Sequence, residues 1–182
     1  MSEPSASGRE LSEPPYGITD RHFEPRHRAW FRPLLQISLI TVVLLAALLG
    51  WLGGGPEKVS RVTVPDVRVE VSTARVLRSG NWFETQVRIV PQADIADLAI
   101  GFDEPLWRAM SIDTLLPDAE SAEFAEGRFT FRFGPAKRGE PFLLKIDGQI
   151  QPRWFRVLSG RVTVLDGERE LATAPVRLTV LP

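Results

Sequence analysis

Residues 81–90 read Asn-Trp-Phe-Glu-Thr-Gln-Val-Arg-Ile-Val, and their period is two. Phe83, Thr85, Val87 and Ile89 fall on one side, with Glu84, Gln86 and Arg88 on the other. A helix would spread these apolar residues around its axis, whereas a strand places alternate side chains on opposite faces. The stretch therefore predicts a half-buried β-strand.

The same alternation recurs on both sides of it. Upstream, Val62 and Val64 precede Val67, Val69 and Val71, with Pro65-Asp66 interrupting as an edge or bulge would. Downstream come Leu98, Ile100 and Phe102, then Met110, Ile112 and Leu115 before Pro117. Phe129, Phe131 and Phe133 alternate with Arg128, Thr130 and Arg132, and Phe142, Leu144 and Ile146 repeat the theme. Val162 and Val164 lead to Asp166-Gly167, a tight-turn pair, after which Leu171–Leu181 returns. Further turn signals are Ser79-Gly-Asn81, Glu126-Gly127, Arg138-Gly139, Asp147-Gly148 and Ser159-Gly160. A short helical turn fits near Glu104–Met110. Seven to nine short strands without a helical period predict an all-β domain, a β-sandwich of immunoglobulin-like type, over residues 62–182.

The N-terminal third has a different character. Between Arg32 and Glu57 lie 24 uncharged residues, and 12 of the 20 in Leu34–Gly53 are Leu, Ile or Val. As a helix, 20 residues span about 30 Å, the thickness of the hydrocarbon core. The 12 apolar residues favour insertion by about 4–7 kcal/mol. Trp30, Phe31 and Arg32 mark one membrane interface and Trp51 the other. Gly53-Gly-Gly-Pro56 supplies a stop. The expected organisation is a disordered cytoplasmic tail (1–32), one transmembrane helix acting as a signal anchor (33–54), a linker (55–61) and the β-domain. A cleaved signal peptide is the competing reading. Its opponents are the long charged N-terminal stretch and an apolar run beyond the usual roughly 7–15 residues. Arg21, Arg26, Arg28 and Arg32 flank the helix start more closely than Lys58, Arg61 and Arg68 flank its end. That spacing predicts the N-terminus inside and residues 57–182 outside a bacterial inner membrane, in the periplasm or the extracellular space. Within the helix, Ala46-x-x-x-Gly50 is a match to the small-residue pattern that lets helices approach.

Composition removes much chemistry. The chain has no cysteine, which excludes disulfides, thiolate metal sites and cysteine nucleophiles. Both histidines, His22 and His27, lie in the polar tail, so histidine catalysis and histidine metal sites are excluded from the outer domain. A net charge of −1 gives no clustered positive surface for nucleic acid. Arginine outnumbers lysine 19 to 3, a coding habit of GC-rich bacteria. No catalytic residue, cofactor or metal is expected.

What remains is uneven charge and aromatic placement. Asp94–Glu126 holds nine acidic residues and one basic, Arg108, whereas 127–182 holds ten basic and five acidic. No D-x-D-x-D run accompanies the acids, so a solvated acidic edge facing a basic one outweighs calcium or carboxylate hydrolysis. The acidic face, with Asp103 and Glu104, is a candidate docking surface for a basic partner. Arg153-Trp-Phe-Arg156 sets Trp154 and Phe155 between two arginines, the residue types enriched at interface centres. The alternative for Trp154 is a place in the core. Trp82 and Trp107 are expected in the core or at its edge.

The layout of a cytoplasmic stub, one helix and an outer β-sandwich is similar to that of copper-delivery assembly proteins of cytochrome oxidases. Those carry paired cysteines; this chain has none, so thiolate copper delivery does not transfer. The expectation is a non-enzymatic accessory, scaffold or assembly subunit, with the lipid bilayer and an integral-membrane protein as partners. The alternative is a membrane-tethered binding module for an envelope polymer, lipid or soluble ligand.

Overall fold

The computed structural model describes residues 31–52, 57–151 and 156–182. The chain divides into two units, residues 1–43 and 44–182.

Helix α1 runs Phe31–Leu48. None of its side chains is buried, and Leu35, Leu39 and Leu44 are among those exposed. The helix is long and apolar enough to cross a membrane. It ends earlier than Gly53. Gly50 takes φ 74°, and the Gly50 and Trp51 N–H groups donate to the Ala47 and Ala46 carbonyls. This pair of bonds closes a helix C-terminus around a left-handed glycine. Gly50 thus lies in the capping turn, past the last residue of α1.

The outer part contains β1 (Glu57–Thr63), β2 (Val67–Ala74), β3 (Val76–Arg78), β4 (Trp82–Pro91), β5 (Leu98–Asp103), α2 (Glu104–Trp107), β6 (Met110–Leu116), β7 (Ser121–Ala125), β8 (Arg128–Arg132), β9 (Phe142–Ile150), β10 (Arg156–Asp166) and β11 (Arg169–Leu181). They form a five-stranded sheet, β1-β2-β4-β9-β6, and a six-stranded sheet, β3-β11-β10-β5-β8-β7. Neighbours are antiparallel except β3 with β11. This is a two-sheet sandwich, and the strand order supports nothing narrower. β1 begins at Glu57, inside the stretch expected to be linker. It is an edge strand wet on both sides, so its sequence carries little alternation.

The expected faces meet in the core. Val67, Val69 and Val71 of β2, Phe83, Val87 and Ile89 of β4, and Leu144, Ile146 and Ile150 of β9 are buried. Opposite them lie Ile100, Phe102, Val162, Val164, Ala174, Val176 and Leu178. Gly148 lets β6 approach β9, since a Cβ there would sit 2.4 Å from the Ser111 carbonyl oxygen. α2 closes one end with Leu106 and Trp107. Beneath it only about 10 Å³ stays free, at the lower limit for one water.

Candidate interaction surfaces

Three surfaces concentrate the charge and aromatic residues. The first is the outer face of the six-stranded sheet. Arg128 on β8 passes over Gly101 on β5 and pairs with Glu170 on β11. A Cβ at 101 would lie 2.5 Å from Arg128 Cδ, so the glycine keeps that lane open. Arg132 donates to Asp97 at 2.6 Å and also to Glu168. Bonds to Glu168 and then Asp97 raise the Arg132 pKa above its ordinary value. Asp103 accepts from the Arg161 backbone N–H at 3.1 Å and from its Nε at 3.0 Å, which raises the Arg161 pKa in the same way. Glu104 accepts from Arg108 Nε at 2.6 Å. The candidate docking residues Asp103 and Glu104 therefore already hold internal partners. Asp94 accepts the Arg138 N–H, and Asp166 accepts the Ala96 and Asp97 N–H groups. The first half of the acidic segment is thus tied into the fold.

The second half is not. Asp118, Glu120, Glu123 and Glu126 flank or occupy β7, the edge of its sheet, and are exposed. Among the described residues none has an ion-pair partner. All five β7 residues are exposed, and Phe124 keeps 47% of its surface in solvent. Phe124 stacks on Phe129 at 4.5 Å between ring centroids, with Arg108 5.5 Å over both rings. Behind them Trp107 lies 6.1 Å from Phe129, 4.8 Å from Phe131 and 4.9 Å from the buried Phe102. An aromatic ladder so connects the core to the exposed edge. The β7–β8 turn is Glu126-Gly127, both with positive φ. That turn favours Asn or Asp before Gly. Glu126 stands there with a side chain that takes the left-handed region at a cost, of order 1–3 kcal/mol.

The third surface is an open depression of about 610 Å³ lined by Glu57, Lys58, Val59, Arg75, Arg177 and Thr179. Its one carboxylate, Glu57, accepts from the Ser72 hydroxyl. Neither this depression nor the space under α2 offers the two carboxylates that glycoside cleavage requires.

Arg156 opens β10 and is exposed; Arg153, Trp154 and Phe155 lie outside the described residues, as does Trp30. Phe31 and Arg32 start α1, and Trp51 follows its cap, exposed. Trp107 sits at the core edge as expected. Trp82 does not: it is 68% exposed at the start of β4, one position before the inward series that begins at Phe83. Alternation itself assigns Trp82 to the outer face, since period two separates it from Phe83. The β7 edge was hidden because Ser121–Ala125 is short, carries one large apolar residue, Phe124, and buries none of its residues. No family model matches the sequence, and no curated protein is significantly similar to it.

Proposed function

We propose that this chain is a non-enzymatic, single-pass accessory or assembly subunit of an inner-membrane complex. α1 anchors it, with the N-terminus cytoplasmic, and the sandwich docks a partner on the outer side. The observation that carries the reading is the β7 edge. An exposed strand with open backbone groups accepts an added strand, and four unpaired carboxylates around it select a basic one. Phe124, backed by Phe129, Arg108 and Trp107, supplies a rigid apolar anchor of the kind found at interface centres. Glu126 occupies a conformation that Asn would hold more cheaply, which fits a carboxylate kept for contact.

The test is affinity purification of the tagged full-length protein from native membranes in mild detergent, with mass spectrometry. A stoichiometric integral-membrane partner is expected. Phe124→Asp and a joint Glu123→Lys, Glu126→Lys variant should each lose it, with the chain still folded. Migration alone, with every membrane complex intact after deletion, ends this reading. The basic depression favours the second reading, a tethered module for an anionic ligand.

A further inference from the structure

The strand register brings several cations to one end of the sandwich. β1 starts there, since Glu57 pairs with Ala74. Trp82 projects beyond the Thr85–Thr73 pair at the same end, opposite Gln149 near the end of β9. Arg156 opens β10 there, paired with Val180, and Arg75 sits between β2 and β3. Lys58, Arg75 and Arg177 surround the depression, and among the described residues none pairs with a carboxylate. The opposite end carries Asp66, Asp97, Asp166 and Glu168, several in ion pairs. Cations that line a hollow without carboxylate partners leave a positive potential there, and such a potential attracts anions.

The chain's connectivity places a source of such anions nearby. Eight residues, 49–56, separate the end of α1 from the start of β1, no more than about 30 Å of fully extended chain. The basic end is therefore the tethered end of the domain. Trp82, exposed beside it, is the residue type that settles at headgroup depth.

We propose that this end of the sandwich, with Lys58, Arg75, Arg177 and Trp82, is a docking face for the anionic phospholipid headgroups of the membrane that α1 enters. The inference rests on the membrane-anchored part of the proposed function and not on its protein partner. Each cation near an anionic surface contributes about five-fold, and Glu57 in the same hollow offsets one of the three, so the docked state is favoured about 25-fold at low salt.

The chain has no cysteine, so Asn81→Cys, exposed beside Trp82, takes a single environment-sensitive dye. The labelled full-length protein is reconstituted in nanodiscs of phosphatidylcholine with or without phosphatidylglycerol. Expected is a blue-shifted emission, quenched by lipid-borne quencher, in anionic discs only. It should vanish in 0.5 M salt and in the Lys58→Gln, Arg75→Gln, Arg177→Gln variant. The salt arm needs no variant and so does not depend on one folding. Equal spectra in neutral and anionic discs overturn the proposal. So does a shift produced by inorganic phosphate in neutral discs but not by phosphatidylglycerol, which would make the depression a soluble-anion site. Failure of the chain to stay in discs overturns both this proposal and the anchored reading. Retention without a lipid effect overturns this one alone.

Discussion

Thr73 and Thr85 meet hydroxyl to hydroxyl at 2.8 Å inside a largely apolar interior, paired across β2 and β4. Each satisfies the other, so neither buried oxygen is left without a partner. A buried hydroxyl that loses its partner costs about 1–3 kcal/mol, whereas replacing both by apolar groups of the same shape is nearly neutral. Thr85→Val alone should therefore destabilise the protein by that amount. The double Thr73→Val, Thr85→Val variant should recover most of the loss. Denaturant midpoints of the detergent-solubilised chain measure the difference, and additive losses would show that the pair is not coupled. The outward place of Trp82 follows from its neighbour and not from its own chemistry. Phe83 claims the inward position, and the pleat then sends Trp82 outward.

Among the elements, α1 and β7 carry the functional argument. The helix buries none of its side chains against the described part of the protein and is long and apolar enough to cross a membrane. Its ten Leu, Ile and Val residues supply about 3–6 kcal/mol toward insertion, and an arginine at the helix centre opposes by about 2.5–3.5 kcal/mol. Ile40→Arg with Leu44→Arg should cancel the insertion term. The protein then moves from the carbonate-resistant membrane fraction to the wash, and full retention of that variant would refute spanning by α1. β7 has no core to lean on, and its order comes from β8 and from the Phe124–Phe129 stack. Phe124→Asp should therefore cost about 0.5–1.5 kcal/mol, the worth of one aromatic pair, while leaving the chain folded and removing partner binding. A large stability loss would make Phe124 a structural residue.

For the whole molecule, pH offers a test of how the charges work. Arg61, Arg132 and Arg161 all have raised pKa values, each chiefly through a hydrogen bond to a carboxylate. A raised pKa on a cation gives stability that is fully present below the unfolded value and lost only as pH rises through the folded one. For arginine both lie far above neutrality. The outer domain holds no histidine and no cysteine to titrate nearer pH 7. Its melting temperature should stay within about 2 °C between pH 6 and 8, since a shift of 1 kcal/mol moves a domain of this size by several degrees. A larger drift would reveal a carboxylate or amine titrating in that window.

Local chemistry alone determined the apolar helix, the all-β class and most of the inward-facing residues, because each depends on a period or a run within one segment. Phe83, Val87 and Ile89 were legible for that reason, and so was the turn at Glu104. The stop of α1 at Gly50 was not, because three later glycines present an equal local signal and only the closing bonds to Ala46 and Ala47 choose between them. β1 and β7 were illegible as edges, having no buried face to impose alternation. The surfaces lay further still from sequence. Lys58, Arg75 and Arg177 are up to 119 positions apart and meet only because β1, β2 and β11 share one end of the sandwich. The acidic segment looked uniform along the chain, yet the tertiary structure divided it. Asp97, Asp103 and Glu104 find arginines and are neutralised, while Glu120, Glu123 and Glu126 lie on an edge that no basic strand covers. Charge along a chain is local, but pairing depends on which strands lie side by side.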